Sequence, residues 1–388
     1  MKIEFYNCPQ PQSMVIADLP ETAAFLSYEP NFTRMATLAE SFIQYEALIV
    51  IGHGGSVTSF MAMTYSLIEK MNKRVYVVST VDPDYITRIK KITKPQNTLV
   101  IAISKSGETV TQIEALLQFT EYPLLCITGL VGPFADIAGK MNAKLVQHPP
   151  IGGRFTAFTE VALLPALLCG IDVKTIFTAG RKVHHEYAKD NSAWHAASVI
   201  YQLEQDGKTD VFMSFYNNAL FELNGLIIQL CHESFGKQGK GQTYFAHEGP
   251  ESQHHTNQRF FGGPKNIIGW FSSVDVPLQD MTTTVPESVA NITLKESTLG
   301  LLGNIPLSAA LQYERQATME HAQIVGIPLV HTSLPARTEE SIGEFIAFWQ
   351  LYAVYSASLR GVNPFDQPEV EESKRISFAK RLGYKGQR

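Results

Sequence analysis

The chain has 388 residues, of which 45% are hydrophobic and 18% charged, a composition typical of a globular protein with material for roughly two or three cores. The formal net charge of −5 argues against nucleic acid as the main partner, because surfaces that bind nucleic acid are strongly basic. The longest apolar run, residues 161–171, is too short to cross a bilayer and contains a proline, so we expect no membrane partner.

The cysteine pattern predicts reduced thiols. The chain has four cysteines, at positions 8, 126, 169 and 231. None of them forms a Cys-x-x-Cys pair, and their spacing does not match a structural zinc site, so no metal is expected. Residues 1–12 carry no apolar segment of the kind found in secretory signals. These features predict free cysteines and a cytoplasmic location.

The first half of the chain alternates strand and helix patterns. Continuous apolar runs predict strands at 47–52, 74–80, 98–104 and 123–128, and helical spacing follows at 59–71 and 110–119. Apolar strands separated by amphipathic helices favour a parallel sheet that is covered on both faces. The pattern therefore predicts a doubly wound α/β domain.

The second half repeats this scheme. Strands are predicted at 210–216, 266–272 and 327–334, with a helix at 308–325. From residue 341 the pattern is helical, with an aromatic stripe that is typical of a buried core. We therefore predict an α/β fold class with two doubly wound lobes, residues 1–185 and 186–340, followed by a C-terminal helical segment, residues 341–388.

Two polar turns each follow a predicted strand. The first, Gly-His-Gly-Gly-Ser (52–56), contains Gly55 and Ser56 and opens a helix, so its backbone N–H groups are placed to approach an anion. It lacks the dinucleotide-binding Gly-x-Gly-x-x-Gly pattern, because Val57 stands where the third glycine belongs. A purely structural turn is the alternative interpretation.

The second turn, Ser-Lys-Ser-Gly-Glu-Thr (104–109), is the stronger candidate. Ser104, Ser106 and Thr109 each carry a hydroxyl group, and Lys105 adds a cation. An ordinary helix N-cap would also explain these residue types. Because the carboxyl ends of parallel strands meet at the same edge of a sheet, the two turns together favour a phosphate site.

Two further segments are suited to carry chemistry. Arg154 stands at a helix entrance, where its charge opposes the helix dipole, which predicts either a bound anion or an acidic neighbour. The polar segment 246–260 contains Glu248 and Glu251, either of which is suited to act as a general base. The histidines of that segment, among them His254, suggest a metal site as one alternative, and a solvated loop is another.

The C-terminal segment 361–376 combines a tight turn with a helix start. Gln367 and Lys374 are seven positions apart, so they share one helical face if the helix begins near Pro368. Residues of these types are more often ordinary surface residues, so the segment alone does not define a site.

Together these motifs resemble the phosphoglucose isomerase family. The resemblance rests on IGHGGS, ISKSGETVTQ, GGRFTAFTEVALLPA and FDQPEVEESK, with ESFGKQGKG (233–241) and GPESQH (249–254) similar to segments of shorter bacterial members. It covers about residues 47 to 380. One departure is Glu369, which stands where the family's C-terminal signature has glycine or alanine.

The resemblance implies two sugar-isomerase (SIS-type) lobes and cofactor-free interconversion of glucose 6-phosphate and fructose 6-phosphate. It also implies a homodimer whose active sites lie near the subunit interface, with a small-molecule sugar phosphate as substrate. The phosphate site it implies comprises Gly55, Ser56, Ser104, Lys105, Ser106, Thr109 and Gly153.

The resemblance also implies roles in the proton chemistry. Arg154 would stabilise the enediolate, and Gln367 and Lys374 would form the C-terminal active-site pair. The base would be Glu248 or Glu251. The family's ring-opening histidine has no counterpart at its usual spacing, because no histidine lies between His255 and His321. On chemical grounds, Lys374, with His254 or His255, is the candidate acid that opens the sugar ring. A dual phosphoglucose/phosphomannose isomerase would share every motif. A non-catalytic sugar-phosphate-binding regulator would use the same lobes without the base and the C-terminal lysine.

Overall fold

The computed structural model describes residues 1–14, 20 and 23–384. The strands are β1 Lys2–Tyr6, β2 Ala47–Ile51, β3 Arg74–Val78, β4 Thr98–Ser104, β5 Leu124–Thr128, β6 Lys144–Gln147, β7 Asp210–Tyr216, β8 Thr243–Glu248, β9 Ile267–Val276, β10 Thr293–Leu294, β11 Ser297–Thr298 and β12 Leu329–Ala336.

The α-helices are α1 Ala24–Ser27, α2 Phe32–Ser41, α3 Gly55–Tyr65, α4 Pro83–Ile92, α5 Val110–Leu116, α6 Pro133–Lys140, α7 Glu160–Leu168, α8 Val173–His184, α9 Ser192–Gln205, α10 Asn218–Phe221, α11 Asn224–Phe235, α12 Thr256–Gly262, α13 Glu287–Ala290, α14 Leu307–Ile324, α15 Glu339–Leu359 and α16 Glu371–Leu382. Short 3₁₀ helices span Ile68–Lys70, Leu117–Phe119, Gly153–Phe158, Glu251–His254, Leu299–Leu302 and Pro368–Val370.

The first sheet has the strand order β3-β2-β4-β5-β6, and all its neighbours are parallel. Alternate residues of β2 join two different apolar clusters, Leu48 and Val50 on one face and Ile49 and Ile51 on the other. Both faces of the sheet are therefore covered, which explains why its strands are apolar throughout. This confirms the predicted parallel α/β lobe.

The second sheet has the order β1-β12-β9-β7-β8. Its neighbours are parallel except at β1, which pairs antiparallel with β12. The N-terminal strand thus completes the second sheet, although it lies within the range that the sequence assigns to the first lobe. The lobe boundaries themselves remain a prediction.

Helix α15 lies at the centre of the molecule and packs against α8, α9 and α11. Its aromatic side chains are buried, and the rings of Trp349 and Trp270 lie 4.5 Å apart between their centroids. The predicted aromatic core is therefore confirmed. One apolar cluster contains residues of α15 and of both sheets, so the two lobes share a continuous core. None of the helices in the described ranges is long and apolar enough to cross a membrane.

Candidate active site

The turn after β2 packs directly against the start of the 3₁₀ helix Gly153–Phe158. A Cβ atom on Gly55 would lie 2.0 Å from the carbonyl carbon of Gly153 and 2.3 Å from the amide nitrogen of Arg154. Real Cβ atoms do not approach other atoms so closely, so only glycine permits this backbone contact. Gly54, with φ +51°, caps the start of α3. Two motifs that are about a hundred residues apart in the sequence thereby meet at the carboxyl edge of the first sheet.

The turn between β4 and α5 lies at the same edge. Gly107 has φ +69°, and the Ser106 hydroxyl accepts a hydrogen bond from the Glu108 amide at 3.2 Å, which closes the turn. Thr109 occupies the N-cap position of α5 but makes no side-chain cap bond. Its hydroxyl is therefore not used as an ordinary helix cap, the alternative that the sequence left open.

The turn after β2 is linked by a hydrogen bond to α5, the helix that follows the turn after β4. The hydroxyl groups of the two turns differ in solvent exposure. His53 of the first turn hydrogen-bonds Thr111 of α5 at 3.0 Å. Ser56 and Ser104 are buried, whereas Lys105 and Ser106 are exposed. The exposed pair leaves the edge open to a ligand, and the helix starts of α3 and α5 add positive potential there.

Arg154 is buried and uses all five of its N–H donors. Nε donates to the Ser234 hydroxyl at 3.0 Å, and Nη1 donates to Glu233 Oε2 at 3.0 Å and to Gln367 Oε1 at 2.8 Å. Nη2 donates to the backbone carbonyls of Pro364 and Asp366. Burial lowers the pKa of the guanidinium, and Glu233 counteracts part of that shift. The acidic neighbour that the sequence predicts as one alternative is therefore Glu233, supplied by the second lobe.

Glu233 is a carboxylate of this cluster that the sequence-based choice of a base does not include. It lies in the last turn of α11, its side chain is 30% exposed, and its Oε1 accepts a hydrogen bond from Gln229 Nε2 at 3.0 Å. Gln229 Oε1 in turn accepts from the Thr58 hydroxyl of α3 at 2.8 Å. A chain of hydrogen bonds therefore runs from α3 of the first lobe through Glu233 to Arg154. The only available signal was the similarity of ESFGKQGKG to family members, because spacing alone does not mark this residue.

Gln367 is brought to the same cluster by an anchored loop. The buried Lys237 ammonium donates to Asp366 Oδ1 at 2.6 Å, and this contact lowers the pKa of the Asp366 carboxyl. The loop that follows α15 is therefore held by Lys237 at Asp366 and by Arg154 at Asp366 and Gln367. Gln367 precedes the 3₁₀ helix Pro368–Val370, and α16 begins only at Glu371.

Glu248, Glu251 and His254 lie at the carboxyl edge of the second sheet. Glu248 ends β8 and accepts from Asn218 Nδ2 at 2.7 Å, while Glu251 and His254 are exposed. Within the described ranges, no hydrogen bond or ion pair connects these three residues to Arg154.

Helix α11 explains this separation. The His232 ring, one residue before Glu233, accepts from the Tyr244 amide near the start of β8. Glu233 is therefore near the amino end of β8 and Glu248 is at its carboxyl end, about 13 Å along the strand at the usual rise per residue.

The described part of the chain contains no group of three or more His, Cys, Asp or Glu residues that could hold a metal ion.

Lys374 is also apart from the cluster. It is 61% exposed and pairs with Glu371 at 2.7 Å on α16. Helix α16 has no buried residue, but Arg381 makes a bidentate ion pair with Glu114 of α5, with both distances 2.6 Å. The C-terminal helix therefore lies beside the helix that follows the Ser-Lys-Ser-Gly-Glu-Thr turn.

Comparison with solved structures identifies the fold. The chain superposes on the hypothetical protein TT0462 from Thermus thermophilus with a TM-score of 0.83 and 27% identity, covering 91% of this chain and 87% of that one. A glucose-6-phosphate isomerase from Chlamydia trachomatis gives a TM-score of 0.77 at 18% identity, covering 90% and 72%. The tagatose-6-phosphate ketose/aldose isomerase from Escherichia coli gives 0.54 at 14% identity, covering 89% and 92%. The fold is that of the two-lobed sugar isomerases.

Sequence relatives extend the similarity to named glucose-6-phosphate isomerases. The chain is 27% identical to a glucose-6-phosphate isomerase of Rubrobacter xylanophilus, over 87% of this chain and 83% of that protein. It is 28% identical to the glucose-6-phosphate isomerase of Leptospira biflexa, over 92% and 83%. No family model matches the chain. The homologues confirm the resemblance to the phosphoglucose isomerase family that the motifs indicate.

Proposed function

We propose that this chain is a glucose-6-phosphate isomerase, which interconverts glucose 6-phosphate and fructose 6-phosphate through a cis-enediol. The observation that carries the proposal is the convergence of Arg154, Glu233 and Gln367 beside the close contact of Gly55 with Gly153. A carboxylate, a fixed guanidinium and an amide next to an anion-binding edge are the groups that an aldose–ketose proton transfer needs. The homologues supply the identity of the sugar phosphate.

The phosphate group is held by the two turns at the edge of the first sheet. Ser106 and Thr109 offer hydroxyl groups, Lys105 offers a cation, and the backbone around Gly55 and Ser56 offers N–H donors. Ser104 from a buried position and Gly153 from a partly buried one shape the floor of this site. The phosphate takes no part in the bond changes. Its binding energy holds the flexible open chain of the sugar in place.

Glu233 is the carboxylate that moves the proton between C2 and C1. Isomerisation requires a base that reaches both carbons on one face of the enediol, and a single carboxylate with two oxygens can do so. Glu233 is the acidic side chain that pairs with Arg154, and Gln229 fixes its other oxygen. Glu248 and Glu251, the bases that the sequence suggests, remain candidates that the same assay tests.

Arg154 has two tasks. It holds Glu233 and Gln367 in place through Nη1, and its charge lies next to the developing enediolate. Because all five of its donors are engaged, direct contact with the enediolate requires that one bond be exchanged for the substrate oxygen. Gln367, which accepts from Arg154 through Oε1, keeps its amide N–H₂ group for a sugar hydroxyl.

Ring opening requires an acid that the single-chain cluster lacks. We propose Lys374 or a histidine of segment 246–260, His254 or His255, and we propose that the histidine comes from a second copy of the chain. In support of a homodimer, the segment between β9 and α14 exposes large apolar side chains, among them Leu278, Met281 and Leu301, each at least half exposed. The free cysteines fit the cytoplasm, the expected compartment for glycolysis and gluconeogenesis.

A coupled assay tests the proposal. The purified protein is expected to convert fructose 6-phosphate to glucose 6-phosphate, detected by a glucose-6-phosphate dehydrogenase in excess. Absence of turnover above background would contradict it. Turnover of mannose 6-phosphate in a matching assay would indicate the dual isomerase, and binding of fructose 6-phosphate without turnover would indicate the regulator. The names of the homologues favour neither alternative.

A further inference from the structure

A cavity of about 380 Å³ lies at the carboxyl edge of the second sheet. The two proposed phosphate turns lie on the other lobe, at the edge of the first sheet. Its polar lining comes from the end of β7, from β9 and from α14, and consists of Tyr216, Asn217, Ser273, Asp275, Gln312 and Arg315. None of the residues assigned above to the isomerase site lines it.

The position of this cavity in the sheet is the one where open α/β sheets bind ligands. From β7 the chain adds β8 on one side and then β9 on the other, so the strand order reverses between β7 and β9. The crevice at the carboxyl ends of such a strand pair is the usual ligand site. In the first lobe the reversal falls between β2 and β4, the strands that carry the two phosphate turns. The two sites are therefore topologically equivalent.

Arg315 supplies a cation with free donors. Its side chain is partly buried, and Nη1 donates to His331 Nε2 at 3.0 Å and to the Met319 sulfur. In the part of the chain that the structure describes, no carboxylate lies within 4.0 Å of it, and Nε and Nη2 donate to no side chain or carbonyl. A partly desolvated guanidinium with unpaired N–H groups is suited to bind an oxyanion through two parallel hydrogen bonds.

His331 holds Arg315 in this orientation. Its Nδ1 lies 3.2 Å from Glu4 Oε2, and its Nε2 lies 3.0 Å from the Ser273 hydroxyl. Burial, and then the charge of Arg315, lower the pKa of the imidazole, which favours the neutral ring. The neutral ring donates from Nδ1 to Glu4 and accepts from Arg315 at Nε2. Because Glu4 lies on β1 and His331 on β12, these two strands fix the orientation of the Arg315 guanidinium.

Ser273, His331 and Glu4 have the order of a nucleophile, a base and an orienting carboxylate. A nucleophilic site is nevertheless disfavoured, because Arg315 donates to the Nε2 atom that would have to take the serine proton. The groups that face the cavity instead combine one cation with hydrogen-bonding partners for hydroxyl groups. Asn217 is such a partner, since its Oδ1 caps α10 and its N–H₂ group donates to no other described residue. Asp275 is another, as an acceptor.

We propose that this cavity is a second small-molecule site, separate from the isomerase site, which binds a hydroxylated oxyanion with Arg315 on the oxyanion and Asn217 and Asp275 on the hydroxyl groups. A phosphate ester and a carboxylic acid share this chemistry. The site does not depend on the proposed isomerase activity.

Calorimetric titration with glycerol 3-phosphate and, separately, with glycerate tests the proposal and identifies the anion. At least one probe is expected to bind the wild-type protein at this site, and Arg315→Met should weaken that binding by about tenfold or more. Glycerol 3-phosphate also has access to the phosphate turns, so its isotherm is expected to lose one of two sites in the variant. Binding of glycerate alone assigns a carboxylate, and binding of glycerol 3-phosphate alone at this site assigns a phosphate.

A second variant guards against misfolding of Arg315→Met. Gln312 is exposed and lines the cavity, so Gln312→Glu places a like charge beside the ligand without disturbing the core. Gln316→Glu makes the same change on an exposed position of the same helix that does not line the cavity. Weaker binding in Gln312→Glu but not in Gln316→Glu supports the site. The proposal is overturned if neither probe binds at this site. It is also overturned if binding is unchanged in both Arg315→Met and Gln312→Glu. Both outcomes are independent of the result of the isomerase assay.

Discussion

At the scale of single residues, the pair formed by Glu233 and Arg154 gives the most direct test of the mechanism. Glu233→Gln keeps the size of the side chain and removes the proton acceptor. Because general-base catalysis contributes about 10²–10⁴ to a rate, kcat should fall by roughly that factor, while KM for fructose 6-phosphate changes little. The coupled assay measures both constants, and thermal unfolding checks that the variant is folded.

Two matched variants separate this assignment from the one that the sequence suggests. Glu248→Gln and Glu251→Gln make the same chemical change at the carboxyl edge of the second sheet, and both should retain kcat within about tenfold. A loss of about 10² or more in either one, with Glu233→Gln active, would move the base to that loop.

The same pair shows which part of a site can be derived from sequence. Arg154 at a helix entrance needs an anion, and that need follows from its position alone. The partner does not follow, because Glu233 is 79 residues away and Gln367 is 213 residues away. Nothing in the helical pattern of α11 tells which of its polar residues meets another lobe.

At the scale of elements, the contact between α3 and the 3₁₀ helix Gly153–Phe158 is predicted to be intolerant of any side chain. In Gly55→Ala the new methyl group would lie 2.0 Å from the backbone of Gly153, so the two segments must separate. We expect a loss of about 1–3 kcal/mol in the free energy of unfolding and a loss of most activity, since the separation moves Arg154.

Gly152→Ala is the control for this change. A Cβ atom on Gly152 meets nothing within 4 Å, and its φ of −61° suits alanine. Urea unfolding and kcat/KM should therefore resemble those of the wild type. Equal stability of Gly55→Ala and Gly152→Ala would contradict the described contact.

Variants of the Ser-Lys-Ser-Gly-Glu-Thr turn are expected to behave differently, because the proposed mechanism assigns this turn to the phosphate end of the substrate, which takes no part in the reaction. Removing one hydrogen bond to a charged group in Ser106→Ala or Thr109→Ala should raise KM about tenfold and leave kcat nearly unchanged. Steady-state kinetics with fructose 6-phosphate separates the two constants. If KM is unchanged in both variants, the phosphate site does not lie at this turn.

Elements with a strong apolar pattern were predicted from the sequence, and those without one were missed. Strands β2, β4 and β5 are buried throughout, and their runs of valine, isoleucine and leucine identify them. Strand β1 is only partly buried and lies at the antiparallel edge, and β8 mixes His247 and Glu248 with aromatic residues. Such strands are defined by the neighbours with which they pair, which a local pattern does not contain.

At the scale of the whole molecule, the single chain brings together the proposed proton-transfer cluster of Arg154, Glu233 and Gln367, and two candidate ring-opening groups lie away from it. The exposed His254 lies at the far end of the second sheet from Glu233, and Lys374 lies on a helix with no buried residue. An exposed histidine that is a candidate for ring opening is consistent with a site completed across a symmetric dimer.

Subunit mixing tests this arrangement. Glu233→Gln and His254→Ala homodimers should each be nearly inactive. If one copy supplies Glu233 and the other supplies His254, a heterodimer of the two variants contains one site with both native residues. Random reassociation after denaturation should then restore about a quarter of the wild-type activity, because half of the dimers are mixed and each has one intact site.

The matched negative control is a mixture of Glu233→Gln with Arg154→Lys. Glu233 and Arg154 form an ion pair within one chain, and Gln367 of the same chain contacts Arg154. Each site of the mixed dimer therefore lacks either native Glu233 or native Arg154. If Arg154 and Glu233 act in the same site, mixing should restore no activity. The mixture should then show only the residual activities of the two separate variants. Recovery with His254→Ala but not with Arg154→Lys places the histidine across the interface. No recovery in either mixture, from dimers shown by mass spectrometry to have exchanged subunits, would mean that His254 acts within its own chain or not at all.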